Sequence, residues 1–265
     1  MLNLFEASTA SESSLLSVFH EIRHQLYPVY RYLQGNCHCN AHLASLILKR
    51  HQISHKKIWI FAPSRYSELT NEAFLIHDRN QIAPKNIIRW GYHVAPIIEI
   101  EGENRIIDFN FSEHSPLSLA EWFHHINARN FKCIIENPDS FLFYSEAPHP
   151  ISKRQIFNGE FYPLEGECLN NQWFEKGLAT NETALTIYEE VFLNAIETNT
   201  PPDLINDYKL LIGSVINFEC VFRDHSFNKK MTDEFQEKHK ELIKYYRGVY
   251  EDNIIKWVDI VKQWL

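Results

Sequence analysis

Two cysteines and two histidines crowd into the first seven residues of Asn36–Arg50, NCHCNAHLASLILKR. Ala41, Ala44, Ile47 and Leu48 then recur at spacings of three and four, which predicts a helix beginning near Cys37 with one apolar stripe. Gly35-Asn36 supplies turn chemistry just ahead of it, with Asn36 placed to cap the first free N–H groups. A cysteine in the first turn of a helix sits at the positive end of the peptide dipoles, which favours the attacking thiolate. Cys37 is therefore a candidate nucleophile. Cys39 is its rival, but two residues on it points about 200° away around the helix, and it reads as buried packing. A zinc reading of Cys37, His38, Cys39 and His42 crowds three ligands into one turn with no second cluster at a familiar spacing, so no metal is expected. His42 then reads as packed or hydrogen-bonded near the helix.

A nucleophile needs a base, and the base an orienting group. WGYHVAPIIEI (Trp90–Ile100) and RIIDFNF (Arg105–Phe111) flank a Glu-Gly-Glu-Asn turn and read as an antiparallel hairpin carrying His93 and Asp108. A two-residue loop at Gly102-Glu103 would put these two on one face but four residues out of step. A wider loop or a bulge is then required to bring them together, and Asn110 is an alternative orienter.

The segments GNCHCNAHLASLIL, WGYHVAPI, RIIDFNFS and PLSLAEW resemble, in order, the catalytic segments of bacterial protein-glutaminases. Cys37, Ala41 and His42 match that family's nucleophile run. Trp90, Tyr92, His93, Val94 and Ala95 match its histidine run, Arg105–Asp108 its aspartate run, and Pro116 and Trp122 the segment beyond. Cys39 and Asn40 depart from it after the nucleophile, Phe109-Asn110 depart after the aspartate, and the hairpin turn is shorter.

The resemblance implies an α+β fold with a papain-like or transglutaminase-like core, in which N-terminal helices pack on an antiparallel sheet. It implies a Cys37-His93-Asp108 triad that deamidates protein-bound glutamine through a thioester, without any cofactor. Backbone N–H groups at the helix start would hold the oxyanion, with Gln34 as side-chain donor and Trp90 and Tyr92 on the substrate side. The same machinery is a transglutaminase if a lysine amine intercepts the thioester, and a thiol protease if the scissile amide is backbone. A non-catalytic binding or immunity-type protein that keeps the fold is the alternative from another class.

Composition narrows the partners. The 265 residues carry 26 Lys and Arg against 34 Asp and Glu, a net charge of −8, so nothing argues for nucleic acid. With 45% hydrophobic residues the chain can bury a sizeable core. Five cysteines, only Cys37 and Cys39 close together, do not form a disulfide framework and suit a reducing compartment. MLNLFEASTASESS lacks the features of a signal peptide and no apolar run suits a membrane span. The expected location is the cytoplasm, or export without a cleaved signal, as for a host-delivered effector.

Along the chain, Ser11–Leu26 predicts a capped amphipathic helix ended by Pro28. Lys57–Phe61 reads as a buried strand and Ala62–Arg89 as a long loop flanking the site. Pro116–Asn127 reads as a short helix, with Lys132–Ile135 and Ser140–Ser145 as strands. Asn158-Gly159 is a hairpin signal within Gln155–Tyr162. Thr183–Thr198, Asp203–Phe222, Thr232–Tyr246 and Glu251–Leu265 read as four helices, the last two divided near Gly248. The expected organisation is a catalytic domain over 1–177 and an α-helical bundle subdomain over 178–265, the latter positioned to dock a protein substrate.

Overall fold

The computed structural model describes residues 11–144, 156–157, 159–163, 172–215 and 232–265. It opens with α1 (Glu12–Tyr30), whose N-cap Ser11 accepts from Ser14 N–H. Leu15, Val18, Phe19, Ile22 and Leu26 form its buried stripe. Pro28 does not end this helix. It lies in the last turn, where the burial of Val29 and Tyr30 holds one more half-turn in place. Helix α2 (Cys37–Arg50) follows, buried along Leu43, Ala44, Ile47 and Leu48.

Strands β1 (Lys56–Phe61), β4 (Tyr92–Ile100), β5 (Glu103–Ile106), β6 (Leu117–Ser118) and β7 (Lys132–Glu136) form one antiparallel sheet in the order β6-β5-β4-β1-β7. Period-two alternation divides its faces. Ile58, Ile60, Ala95, Ile97 and Ile106 meet Trp122 and Ile126 of α3 (Leu119–Ile126). On the other face Trp59, Phe61 and Val94 cluster with Ala41 of α2. Ala62–Arg89 is not a structureless loop. It contains a second hairpin, β2 (Phe74–His77) with β3 (Ile87–Trp90), whose Phe74, Ile76 and Ile88 join the α3-side cluster. The buried Asp78 carboxylate organises its turn by accepting from the N–H groups of Asn80, Ile82 and Ala83.

β8 (Ser140–Tyr144) pairs with β9 (Glu160–Pro163). The hairpin expected around Asn158-Gly159 lies partly outside the described residues, and its described strand pairs with β8 instead.

From Trp173 onward the described elements are helices. α4 (Trp173–Ile187) runs on through a wider π-type stretch, Tyr188–Leu193, into Asn194–Glu197. α5 spans Pro202–Ser214, α6 Asp233–Lys238 and α7 Lys240–Lys262. Gly248 does not divide the last helix; the break falls at His239. Glycine inside a helix costs about 1 kcal/mol, and burial of Ile243, Tyr246, Tyr250 and Trp257 on one continuous face outweighs it.

The expected division at 177/178 falls inside α4. Phe174, Leu178, Ala184, Tyr246 and Trp257 join one buried cluster with Leu15, Phe19 and Ile47 of the first two helices. The described helices α4–α7 thus finish the core of the N-terminal part. No helix among the described residues is long and apolar enough to cross a membrane.

Candidate active site

The hairpin brings His93 and Asp108 together. Its loop is Glu101-Gly102, one residue earlier than expected, with Gly102 at φ 82° and Ile100 paired with Glu103. Moving the loop by one residue moves every cross-strand partner by two, so Asp108 comes level with Ala95 and diagonal to His93. β5 ends at Ile106, Ile107 N–H donates to Pro96 O, and the chain turns at Asp108, whose carbonyl accepts from Phe111 and Ser112. The departure from the strand closes the remaining gap. His93 Nε2–H donates to Asp108 Oδ2 at 2.7 Å, with both side chains buried. The ring meets Asp108 rather than Asn110, whose backbone N–H donates to Asp108 Oδ1.

Trp122 holds the carboxylate from the far side. Its Nε1–H donates to the same Oδ2 at 2.7 Å, and the indole is fully buried. The helix read over Pro116–Asn127 contains Trp122, and its spacing does not mark this role. A buried tryptophan N–H requires an acceptor, and that was the available signal. Trp90 stacks on the imidazole with centroids 4.4 Å apart and donates Nε1–H to Leu33 O. Trp90 therefore supports the His93 ring as well as lining the cavity.

Burial opposes charge on His93 and pulls its pKa down. The Asp108 charge and hydrogen bond, with smaller contributions from Cys37, more than offset this and raise it to about 10. Nε2 is committed to Asp108, and Nδ1 has no hydrogen-bond partner among the described residues. Cys37 lies close enough to the ring to add to its basicity through hydrogen bonding and charge.

Asn36 stands at the N-cap of α2 in a left-handed conformation, φ 55°, and makes no side-chain cap. Its Nδ2 donates instead to Asn181 Oδ1 of α4 at 3.0 Å, and Asn181 Nδ2 donates to Gly35 O at 3.3 Å. The first turn of α2 thus keeps its N–H groups clear of a side-chain cap. Cys37 is half-buried there, and Cys39 is fully buried against α4. Burial pushes the Cys39 thiol well above its ordinary range. Of the two, Cys37 lines a cavity.

That cavity, about 520 Å³, is bounded by Gln34, Cys37, Arg65, Trp90 and Tyr92, among others, a size that suits a small ligand or peptide side chain. Gln34 Nε2 is buried without a hydrogen-bond partner among the described residues. Tyr92 OH shares a 2.9 Å bond with His38 Nδ1.

Behind α2 lies a group the sequence did not reveal. Lys57, read as one end of an apolar strand, is buried with its Nζ 2.8 Å from both His42 Nδ1 and Ser140 O. Burial lowers its pKa to about 7 and carries that of His42 well down. His42 also meets the edges of Phe141 and Phe174.

Residues 15–126 match the family model for glutamine deamidases described as Glutaminase. No curated protein matches the chain. Three solved structures are similar at low identity. The NMR structure of protein-glutaminase from Chryseobacterium proteolyticum is 15% identical over 68% of this chain and 88% of that one, TM-score 0.43. A crystal structure of protein-glutaminase is 14% identical over 68% and 90%, TM-score 0.39. A crystal structure of pro-protein-glutaminase is 15% identical over 65% and 61%, TM-score 0.45. The matched stretch, residues 15–126, carries Cys37, His93, Asp108 and Trp122.

Proposed function

We propose that this chain deamidates protein-bound glutamine with a Cys37-His93-Asp108 triad on a papain-like or transglutaminase-like core. The observation that carries the reading is the buried 2.7 Å His93–Asp108 bond, with Cys37 beside the ring at a cavity wall. In this mechanism the Cys37 thiolate attacks the side-chain amide carbon of glutamine. Backbone N–H groups of the first turn of α2 and the unpartnered Gln34 Nε2 stabilise the oxyanion. The imidazolium of His93 gives its proton to the departing ammonia, leaving a thioester on Cys37. His93 then takes a proton from water, which attacks the thioester and releases glutamate and the thiol. Asp108 fixes the ring with Nε2–H toward itself and Nδ1 free for proton transfer, and supports the charge that forms. The overall change consumes one water per ammonia released and requires no cofactor.

Incubation with a glutamine-containing peptide tests this. Ammonia should appear together with the glutamine-to-glutamate mass shift, and Cys37→Ala should release none. A peptide that is cleaved, or joined to a lysine without ammonia-linked hydrolysis, would instead assign the same residues to a protease or a transglutaminase.

A further inference from the structure

The wall of the cavity beside Cys37 differs in charge from the rest of the chain. The protein carries a net charge of −8, yet among the described residues no Asp or Glu lines this cavity, while two arginines do. Arg65 is half-buried, its guanidinium lying 5.7 Å over the Tyr92 ring. It is packed so closely on Gly91 that a Cβ there would stand 2.3 Å from Nε. Arg89 is exposed at the end of the second hairpin, with Nη2 donating to Asn71 O at 2.7 Å. Neither arginine makes an ion pair with a carboxylate among the described residues. The other described arginines that border a carboxylate use it: Arg23 and Arg79 meet Glu113, and Arg31 meets Glu189.

A guanidinium fixed on a ring face at the edge of a cavity, with donors uncommitted, is pre-organised for a carboxylate. The cavity holds more than one glutamine side chain, so residues flanking that glutamine come within reach of these walls. We propose that Arg65 and Arg89 make this site select glutamine flanked by acidic residues, so that its substrates present glutamine within an acidic stretch. The inference rests on the deamidase reading for what occupies the centre of the cavity, and on the two arginines for what flanks it.

The test separates the two. Binding is measured by calorimetry on the Cys37→Ala protein, which cannot turn over, with three peptides: Gly-Glu-Gln-Glu-Gly, Gly-Ala-Gln-Ala-Gly and Gly-Lys-Gln-Lys-Gly. The acidic peptide should bind roughly tenfold tighter than the neutral one, and the basic peptide weaker still. The preference should shrink as salt is raised. With Arg65→Gln and Arg89→Gln added, the acidic-to-neutral ratio should fall towards unity. Arg89→Gln alone changes an exposed side chain and should lose part of the preference without affecting folding. Equal affinity for the three peptides, no binding of the acidic one, or a ratio unchanged in the arginine variants would overturn the proposal. Ammonia release by the wild-type protein is read separately. A charge preference in binding without ammonia would sink the deamidase reading alone, and ammonia released equally from all three peptides would sink the charge preference alone.

Discussion

Asn36, the residue that begins the Cys37 helix, donates through Nδ2 to Asn181 Oδ1 at 3.0 Å, across 145 positions of sequence. Asn181 closes the loop by donating to Gly35 O. The turn that aims Cys37 is therefore held by a helix from the C-terminal half. Asn181→Ala should leave Asn36 unpaired, destabilise the fold by roughly 1–3 kcal/mol, and misplace Cys37. Turnover should fall about tenfold or more, because small displacements of a reacting group are costly. Alkylation of Cys37 by iodoacetamide should slow in parallel. Unchanged alkylation and turnover would show that the turn holds itself.

Gly177 makes another close contact between these halves. A Cβ at this position would stand 2.3 Å from Cys39 Sγ, inside a packed core. Gly177→Ala should cost roughly 1–3 kcal/mol by overpacking, and Cys39→Ala in the same chain should recover most of it by removing the sulfur. Urea titration of the wild type and the two variants measures this. A chain ended at residue 177 should fail to accumulate as a folded monomer, because α4 and α7 complete the cluster shared with α1 and α2.

Much of the candidate site could be read from the residues, and the misses have two causes. Cys37, His93 and Asp108 carry local signals: a turn before a helix and two β-branched strands. What joined His93 to Asp108 was the register, which depends on where a four-residue turn actually bends. Glu101 takes a positive φ of 53° ahead of Gly102, and that moved the loop by one residue. Trp122 and Lys57 were hidden for a different reason. Each sits within an apolar pattern, and their polar ends find partners 14 and 83 residues away, which no periodicity reports. Asn181 was likewise invisible, since its role exists only once α4 lies against α2.

Trp122→Phe keeps an aromatic ring in the core, though a smaller one, and deletes the Nε1–H bond to Asp108 Oδ2. The carboxylate would then be held by fewer donors, and kcat should fall about tenfold with KM little changed, as for loss of an interaction that orients a base. A rise in KM at constant kcat would place Trp122 in substrate binding instead.

Asp108→Asn should show its effect through pH. His93 is raised from its ordinary 6.5 to about 10: burial works against this, while the Asp108 charge and bond outweigh it. A raised pKa contributes stability that is fully present below about pH 6.5 and is lost as pH rises through about 10. The destabilisation by Asp108→Asn should therefore be largest near pH 6, on the order of 3–5 kcal/mol for a broken buried pair, and shrink above pH 10. Urea unfolding of both proteins across this range gives the difference directly. A difference that grew with pH would contradict the assigned direction.

The most direct measurement of the central claim, that Cys37 is the attacking thiolate, is alkylation by sub-stoichiometric iodoacetamide, with each cysteine quantified by mass spectrometry as deamidase activity is followed. Cys37 should be modified far faster than buried Cys39 and exposed Cys133, lost activity should equal the fraction of Cys37 alkylated, and His93→Ala should slow this labelling at neutral pH. Activity that survives full modification of Cys37, or that falls in step with a different cysteine, would contradict it.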